Sequence, residues 1–292
     1  MTSLIQVIIN GILLGGLYAL IAAGLSLSYG VMRIFNWCNG ELMMTSLYIS
    51  ILTVLNHSID PYLTPLITVP IFFIFGYLLC AGPFNKILER ETAREPISIL
   101  LFTAGISYII KNVISFIYGT MAKSVVTDYT FEMYKFNGLF INKPRVTAFV
   151  IAIVVIALLE LMMDKTEMGR ALRCTTQDRE AAQLMGMNVP RLYCIALGIG
   201  FACVGLAGSI MSPIYAVDPS TGGNFSLKCL IMVVLGGKGS IPGVLVGGLI
   251  VGLIESIMGF YSTGIYAQAA IFAVFVLVLI FKPSGLLSKD KG

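Results

Sequence analysis

Apolar residues in this 292-residue chain gather into nine runs, at about 4–29, 41–55, 63–80, 97–118, 146–163, 192–211, 227–235, 243–260 and 265–281. Most approach the ~20 apolar residues a helix needs to cross the hydrocarbon of a bilayer. The second is marginal, and the seventh is short and ends in Gly236-Gly237-Lys238-Gly239-Ser240. The seventh reads equally as a re-entrant segment, so eight and nine spans both stay open. The pattern predicts an all-α, polytopic transmembrane bundle of about eight or nine spans, forming a single domain over residues 1–292.

Composition supports that pattern. The chain is 57% hydrophobic and 12% charged, where soluble chains carry about 25% charge. The net charge of +4 is small and gives no reason to expect nucleic acid as a partner. The placement of the charges says more. One set of alternate loops holds Arg33, Lys86, Arg90, Arg94, Lys165, Arg170, Arg173, Arg179, Arg191, Lys282, Lys289 and Lys291; the other holds only Lys123, Lys135, Lys143 and Arg145. Positive loops stay inside, so nine passes put the N-terminus outside and the C-terminus in the cytoplasm. The first run has no basic residue before it and no clear small-x-small cleavage site, which reads as a retained helix rather than a cleaved signal. Six cysteines without a C-x-x-C pair read as free, packed thiols.

Two segments assigned to the outside stand out. Residues 119–143 are polar and rich in Tyr and Phe, and 212–225 carry Pro213, Pro219, Gly222 and Gly223, a turn composition. They read either as a platform for an extracytoplasmic partner or as ordinary connections. Gly11, Gly15 and Ala19 form a small face on the first run, and Gly248, Gly252, Glu255 and Gly259 share a face on the eighth. Small faces let helices approach closely in lipid. A short echo relates Asn10-Gly-Ile-Leu-Leu-Gly-Gly-Leu to Pro242-Gly-Val-Leu-Val-Gly-Gly-Leu.

Three places carry candidate chemistry. In the first, Thr175 and Asp178 are spaced as a capping box, Arg179, Glu180, Ala181, Ala182, Leu184 and Met185 read as a helix of two to three turns, and Gly186 ends it before Pro190. Ala181, Leu184 and Met185 fall near one face. So short a helix needs a partner surface, either lipid or a soluble protein. In the second, Asn36, Asn39 and Glu41 surround the break 33–40. Non-helical backbone at membrane depth survives only inside protein or beside water, which makes the break a candidate gate; the alternative is a plain turn capped by Asn39 and Glu41. In the third, Glu255 is a carboxylate in an apolar run, with Lys111, Lys228 or Lys238 as possible partners. A structural or gating pair is favoured there over a substrate ligand.

Other chemistries find no support. The glycine-rich segment around Lys238 lacks the P-loop order because Gly239 separates Lys238 from Ser240. The single histidine, His57, excludes triads and multi-histidine zinc sites. No catalytic residue, bound metal or bound cofactor is expected in this chain.

Several stretches together resemble one family. They are Asn10-Gly-Ile-Leu-Leu-Gly-Gly-Leu-Tyr-Ala-Leu-Ile-Ala-Ala-Gly-Leu-Ser-Leu, Tyr29-Gly-Val-Met-Arg-Ile-Phe-Asn with Asn39-Gly-Glu, Glu180-Ala-Ala-x-x-x-Gly, Val234-Leu-Gly-Gly-Lys-Gly-Ser-Ile-Pro-Gly, Leu253-Ile-Glu-Ser and Lys282-Pro-Ser-Gly-Leu. Their order is similar to that of the permeases of ATP-driven branched-chain amino acid importers, in the shorter H-type form. The family commonly carries His where this chain has Asn39. The resemblance implies an inner-membrane permease that works by alternating access. It implies a second permease subunit, two cytoplasmic ATPase subunits that use ATP and Mg2+, an extracytoplasmic substrate-binding protein and surrounding lipid. Within segment 164–191, the Glu180–Gly186 motif would be the coupling helix. The same machinery carrying urea or a short amide, and a stand-alone ion-coupled carrier or channel, are the alternatives.

Overall fold

The computed structural model describes residues 2–57, 59–90, 97–125, 130, 132–136, 139–237, 239–261, 264–282 and 285–287. Lys238, Arg94, Lys289 and Lys291, named above, lie outside the described residues.

All nine apolar runs are helical. In chain order they are α1 (Thr2–Met32), α2 (Asn39–His57), α3 (Pro65–Leu79), which passes through a π-turn at Cys80–Phe84 into α4 (Asn85–Arg90), α5 (Ile97–Tyr118), α6 (Lys143–Lys165), the short α7 (Glu167–Gln177) and α8 (Arg179–Leu184), then α9 (Val189–Met211), α10 (Thr221–Gly236), α11 (Ile241–Tyr261) and α12 (Gly264–Phe281). Among the described residues seven helices are long and apolar enough to cross a membrane, and α10 is a shorter apolar helix. The all-α expectation holds, with one addition. The segment before α6 folds as a two-stranded antiparallel hairpin, β1 (Met133–Phe136) and β2 (Leu139–Asn142). The π-turn holds Pro83, whose nitrogen cannot donate to the ladder, and the third span runs on past Cys80 to Leu88.

The composition of α2 explains why its run looked marginal. Its hydroxyls face protein. Ser46 donates to the Gly205 carbonyl and meets the Ser209 hydroxyl at 3.1 Å; Ser50 donates to Ser212 and meets Thr64, both at 2.8 Å; Thr68 meets Ser209 at 2.6 Å. These bonds tie α2, α3 and α9 together where apolar burial adds nothing over lipid. α1 and α9 are the most enclosed spans and α12 the least.

The two small faces pack against each other. A Cβ on Gly15 would sit 2.7 Å from the Gly248 carbonyl oxygen, and one on Gly248 would sit 2.7 Å from the Gly15 oxygen; Gly252 lies against the same turn of α1. α1 and α11 are antiparallel there, so the echoed segments face each other across one interface. Gly259, one turn beyond Glu255, has open space and takes no part.

One expectation needs correcting. Gly222 and Gly223 are not a turn: α10 starts at Thr221, and the Asp218 carboxylate accepts the Ser220 and Thr221 N–H groups at 2.7 and 3.1 Å. The Ser220 hydroxyl, which donates to the same oxygen, and then those N–H groups hold the Asp218 carboxyl below its usual range. The loops assigned to the outside are also joined, because Lys123 and Val217 exchange backbone hydrogen bonds of 2.8 Å in both directions.

Overpacking a close backbone contact costs about 1–3 kcal/mol. Gly252→Val should therefore lower the melting temperature of the purified protein by several degrees, while Gly259→Val, on the same helix, leaves it unchanged. Differential scanning fluorimetry in detergent measures both, and equal melting would refute the packing assigned to Gly252.

Candidate functional site

The break after α1 lies inside the bundle. Arg33 takes a left-handed φ of 53° and is exposed. Ile34, Asn36, Cys38, Asn39 and Glu41 are then all 2% exposed or less. Met32 lies about 21 Å below Tyr18 along α1, and residues 33–38, extended, can climb about 20 Å. The chain does climb. The Ser226 hydroxyl accepts the Gly40 N–H and donates to the Trp37 carbonyl, both at 3.0 Å, while the neighbouring Phe225 ring packs edge-on to Tyr18 at 5.6 Å. α2 therefore begins near the middle of the bundle, beside the first turns of α10.

Side chains satisfy several backbone groups of the break. Thr103 accepts the Trp37 N–H at 3.1 Å, and Asn36 accepts the Cys38 N–H at 3.1 Å while donating to Asn39 at 3.0 Å. The plain cytoplasmic turn is excluded by this burial. Glu41 points at the start of α10, where its carboxylate lies against Gly222. Ser107 and Lys111 on α5 face it, yet among the described residues Glu41 forms no ion pair and its Oε2 has no hydrogen-bond partner.

Glu255 has found one of its three possible partners. Lys228 on α10 donates to both carboxylate oxygens, at 2.7 and 2.8 Å. Tyr18 donates to Glu255 at 3.2 Å and meets the Tyr215 hydroxyl at 2.9 Å, and the ammonium sits 4.7 Å from the Tyr18 ring and 5.4 Å from Phe225. Both charged groups are half-enclosed, so the pair clamps α10 to α11 beside α1. The Asn36–Asn39–Glu41 group and this pair are thus two clusters on opposite sides of the first turns of α10. Lys238 lies outside the described residues.

The cytoplasmic segment differs in detail from its expected form. Thr175 caps nothing; it lies in α7 and donates to the Ala171 carbonyl at 2.9 Å. Asp178 alone is the N-cap of α8, accepting from Glu180 and Ala181 N–H at 2.9 and 3.0 Å. α8 has six residues, fewer than the two to three turns expected, and Gly186 ends the segment at φ +80°. Ala182 turns inward at 4% exposure, while Leu184 and Met185 are 89% and 80% exposed, with Ala181 and Glu180 also outside. The Arg179 guanidinium lies 5.7 Å from the Tyr193 ring of α9, and Arg33 faces the same tyrosine. Arg179 at the start of α8 and Arg33 at the base of the break thus both place positive charge near Tyr193.

The profile of the family described as branched-chain amino acid transport system / permease component matches residues 7–280. The chain belongs to this permease family. It is 28% identical to the high-affinity branched-chain amino acid transport system permease protein LivH of Escherichia coli, over 98% of this chain and 96% of that protein. It is 27% identical to the protein BraD of Pseudomonas aeruginosa, described in the same words, with the same coverage. A probable branched-chain amino acid transport permease protein LivH of Methanocaldococcus jannaschii is 26% identical over 98% of this chain and 93% of its own length. No solved structure matches the chain.

In this permease, sequence reasoning found the polar break, Glu255 and the exposed cytoplasmic helix. It missed Tyr18, Tyr193, Tyr215 and Ser226, whose types are ordinary in such helices and whose roles come from neighbours distant in sequence. It also missed the contact of Glu41 with α10. The only available signal there was the pair Gly222-Gly223, read as a turn.

Removing one partner of an enclosed ion pair costs about 3 kcal/mol or more. Glu255→Gln should destabilise the purified permease, and the exchange Lys228→Glu with Glu255→Lys should recover part of that loss. Thermal melting of the three forms in detergent measures this; no recovery in the exchanged form would deny the pair an electrostatic role.

Proposed function

We propose that this chain is a permease subunit of an ATP-driven importer that carries branched-chain amino acids across the cytoplasmic membrane by alternating access. It works with a second permease subunit. Two cytoplasmic ATPase subunits consume ATP with Mg2+, and an extracytoplasmic binding protein delivers the cargo. Membership in the family over nearly the whole chain, and the names its relatives carry, support the cargo and the machinery.

One observation carries the coupling role. α8 is too short to persist alone, yet it presents Leu184 and Met185 almost fully to the cytoplasm. That face, with Arg179, Glu180, Ala181 and Gly186 around it, is the surface an ATPase subunit would grip. Ala182 holds the helix to its own subunit. Displacement of α8 would pass through Arg179 and Tyr193 to Arg33 at the base of the break, and from there to Asn36, Asn39 and Glu41. On the opposite side, the hairpin exposes Met133, Tyr134 and Phe140 beside the joined loops. This surface suits a docked binding protein.

Removing an apolar side chain from an interface costs about 1.5–3 kcal/mol, which is tenfold or more in affinity. Leu184→Asp with Met185→Asp should therefore cut co-purification of the ATPase subunits at least about tenfold, without changing membrane insertion or the melting temperature of the isolated permease. Ala182→Glu should instead destabilise the permease itself. Undiminished co-purification of the double variant would reject α8 as the coupling helix. ATP-independent leucine uptake by this chain alone in vesicles would reject the importer reading.

A further inference from the structure

Two polar atoms at the start of α2 are buried and have no hydrogen-bond partner among the described residues: Asn39 Nδ2, a donor, and Glu41 Oε2, a carboxylate acceptor. Their side chains are each 2% exposed. Leaving such groups unpaired is costly, and more so where the group is charged. They stand two residues apart, where the N-terminal ends of two interrupted helices meet: Gly40 of α2 lies against the Gly222 carbonyl of α10, and the Glu41 carboxylate lies against Gly222 itself. Helix N-termini carry a positive partial charge that favours anions, and half-helix ends at the midplane are where transporters hold charged solutes. Lys111, the cation facing Glu41, adds a second positive group without closing an ion pair.

What would satisfy this set is restricted. A proton on Glu41 would neutralise the charge but leave the Asn39 amide without an acceptor. A water molecule, or a neutral solute such as urea, would satisfy both polar atoms but bring the carboxylate no counter-charge beyond Lys111, which forms no ion pair with it among the described residues. A solute carrying an ammonium and a carboxylate on one carbon answers all of it.

We propose that the junction of α2 and α10 binds the zwitterionic end of an α-amino acid in transit, with Glu41 taking the ammonium and the Asn39 amide with Lys111 taking the carboxylate. This rests on the importer reading above and adds where, and by which groups, the cargo is held within the membrane. In the present conformation the Gly40–Gly222 contact closes the site. Opening it requires α2 and α10 to part, which is the movement the base of the break would transmit.

The test uses the assembled importer in lipid nanodiscs without binding protein, with leucine observed by saturation-transfer NMR. The wild type should give a leucine signal that leucinamide, which keeps the ammonium, displaces at least tenfold more effectively than 4-methylpentanoate, which lacks it. Glu41→Gln should lose the leucine signal and, with binding protein present in proteoliposomes, lower kcat for ATP-driven leucine uptake at least tenfold. The variant should still assemble with its ATPase subunits. Should Glu41→Gln fail to assemble, Asn39→Ala and Lys111→Gln are read the same way, each with weakened leucine binding as the expected result. A leucine signal unchanged in Glu41→Gln, equal displacement by the two analogues, or no leucine signal from a wild type that imports leucine would each overturn the site while leaving the importer reading intact. A wild type that neither binds ATPase subunits nor imports leucine would instead fail that reading.

Discussion

A backbone that stops being helical inside an apolar bundle must find every hydrogen bond within the protein or in enclosed water. Residues 33–38 impose that demand, and much of the surrounding structure answers it. Ser226 spans the break by accepting from Gly40 and donating to Trp37, Thr103 takes the Trp37 N–H, and Asn36 takes the Cys38 N–H. The first two answers come from different helices, α10 and α5, and the third from the break itself. The break thereby locks α2, α5 and α10 to one another, and it positions Asn39 and Glu41 near the middle of the bundle instead of at the membrane surface.

The same scarcity of driving force shapes the rest of the packing. Lipid solvates apolar side chains as well as a neighbouring helix does, so association depends on close approach and polar contacts. α1 uses both. Its glycine face admits α11 at backbone distance, and its Tyr18 hydroxyl joins the Lys228–Glu255 pair. α9 is held to α2 and α3 by hydroxyl groups. The two clusters that would otherwise be costly to bury therefore also decide which helices are neighbours.

The exposed face of α8 and the polar junction are separated in space. Tyr193, at the start of α9, faces Arg179 of α8 and Arg33 at the base of the break. A push on the exposed Leu184–Met185 surface has a short physical route to the polar junction, through a helix end and one aromatic ring rather than through the apolar core. The Lys228–Glu255 clamp lies on the far side of α10, where it would resist displacement of that helix and limit the movement to its first turns.

The sequence alone determined the helical runs, the exposed cytoplasmic helix and the interruption between the first two spans. Run length, glycine spacing and cap residues are local properties, and local properties are what a lipid solvent selects. It did not determine that Glu255 pairs with Lys228 rather than Lys111, that Asp178 caps α8 while Thr175 sits inside α7, or that Gly222 and Gly223 begin a helix. Each of these depends on which helices lie side by side. Only the tertiary structure decided that Glu41 faces the end of α10 with one oxygen unpaired, because a carboxylate at a helix start reads the same whether water or protein lies beyond it.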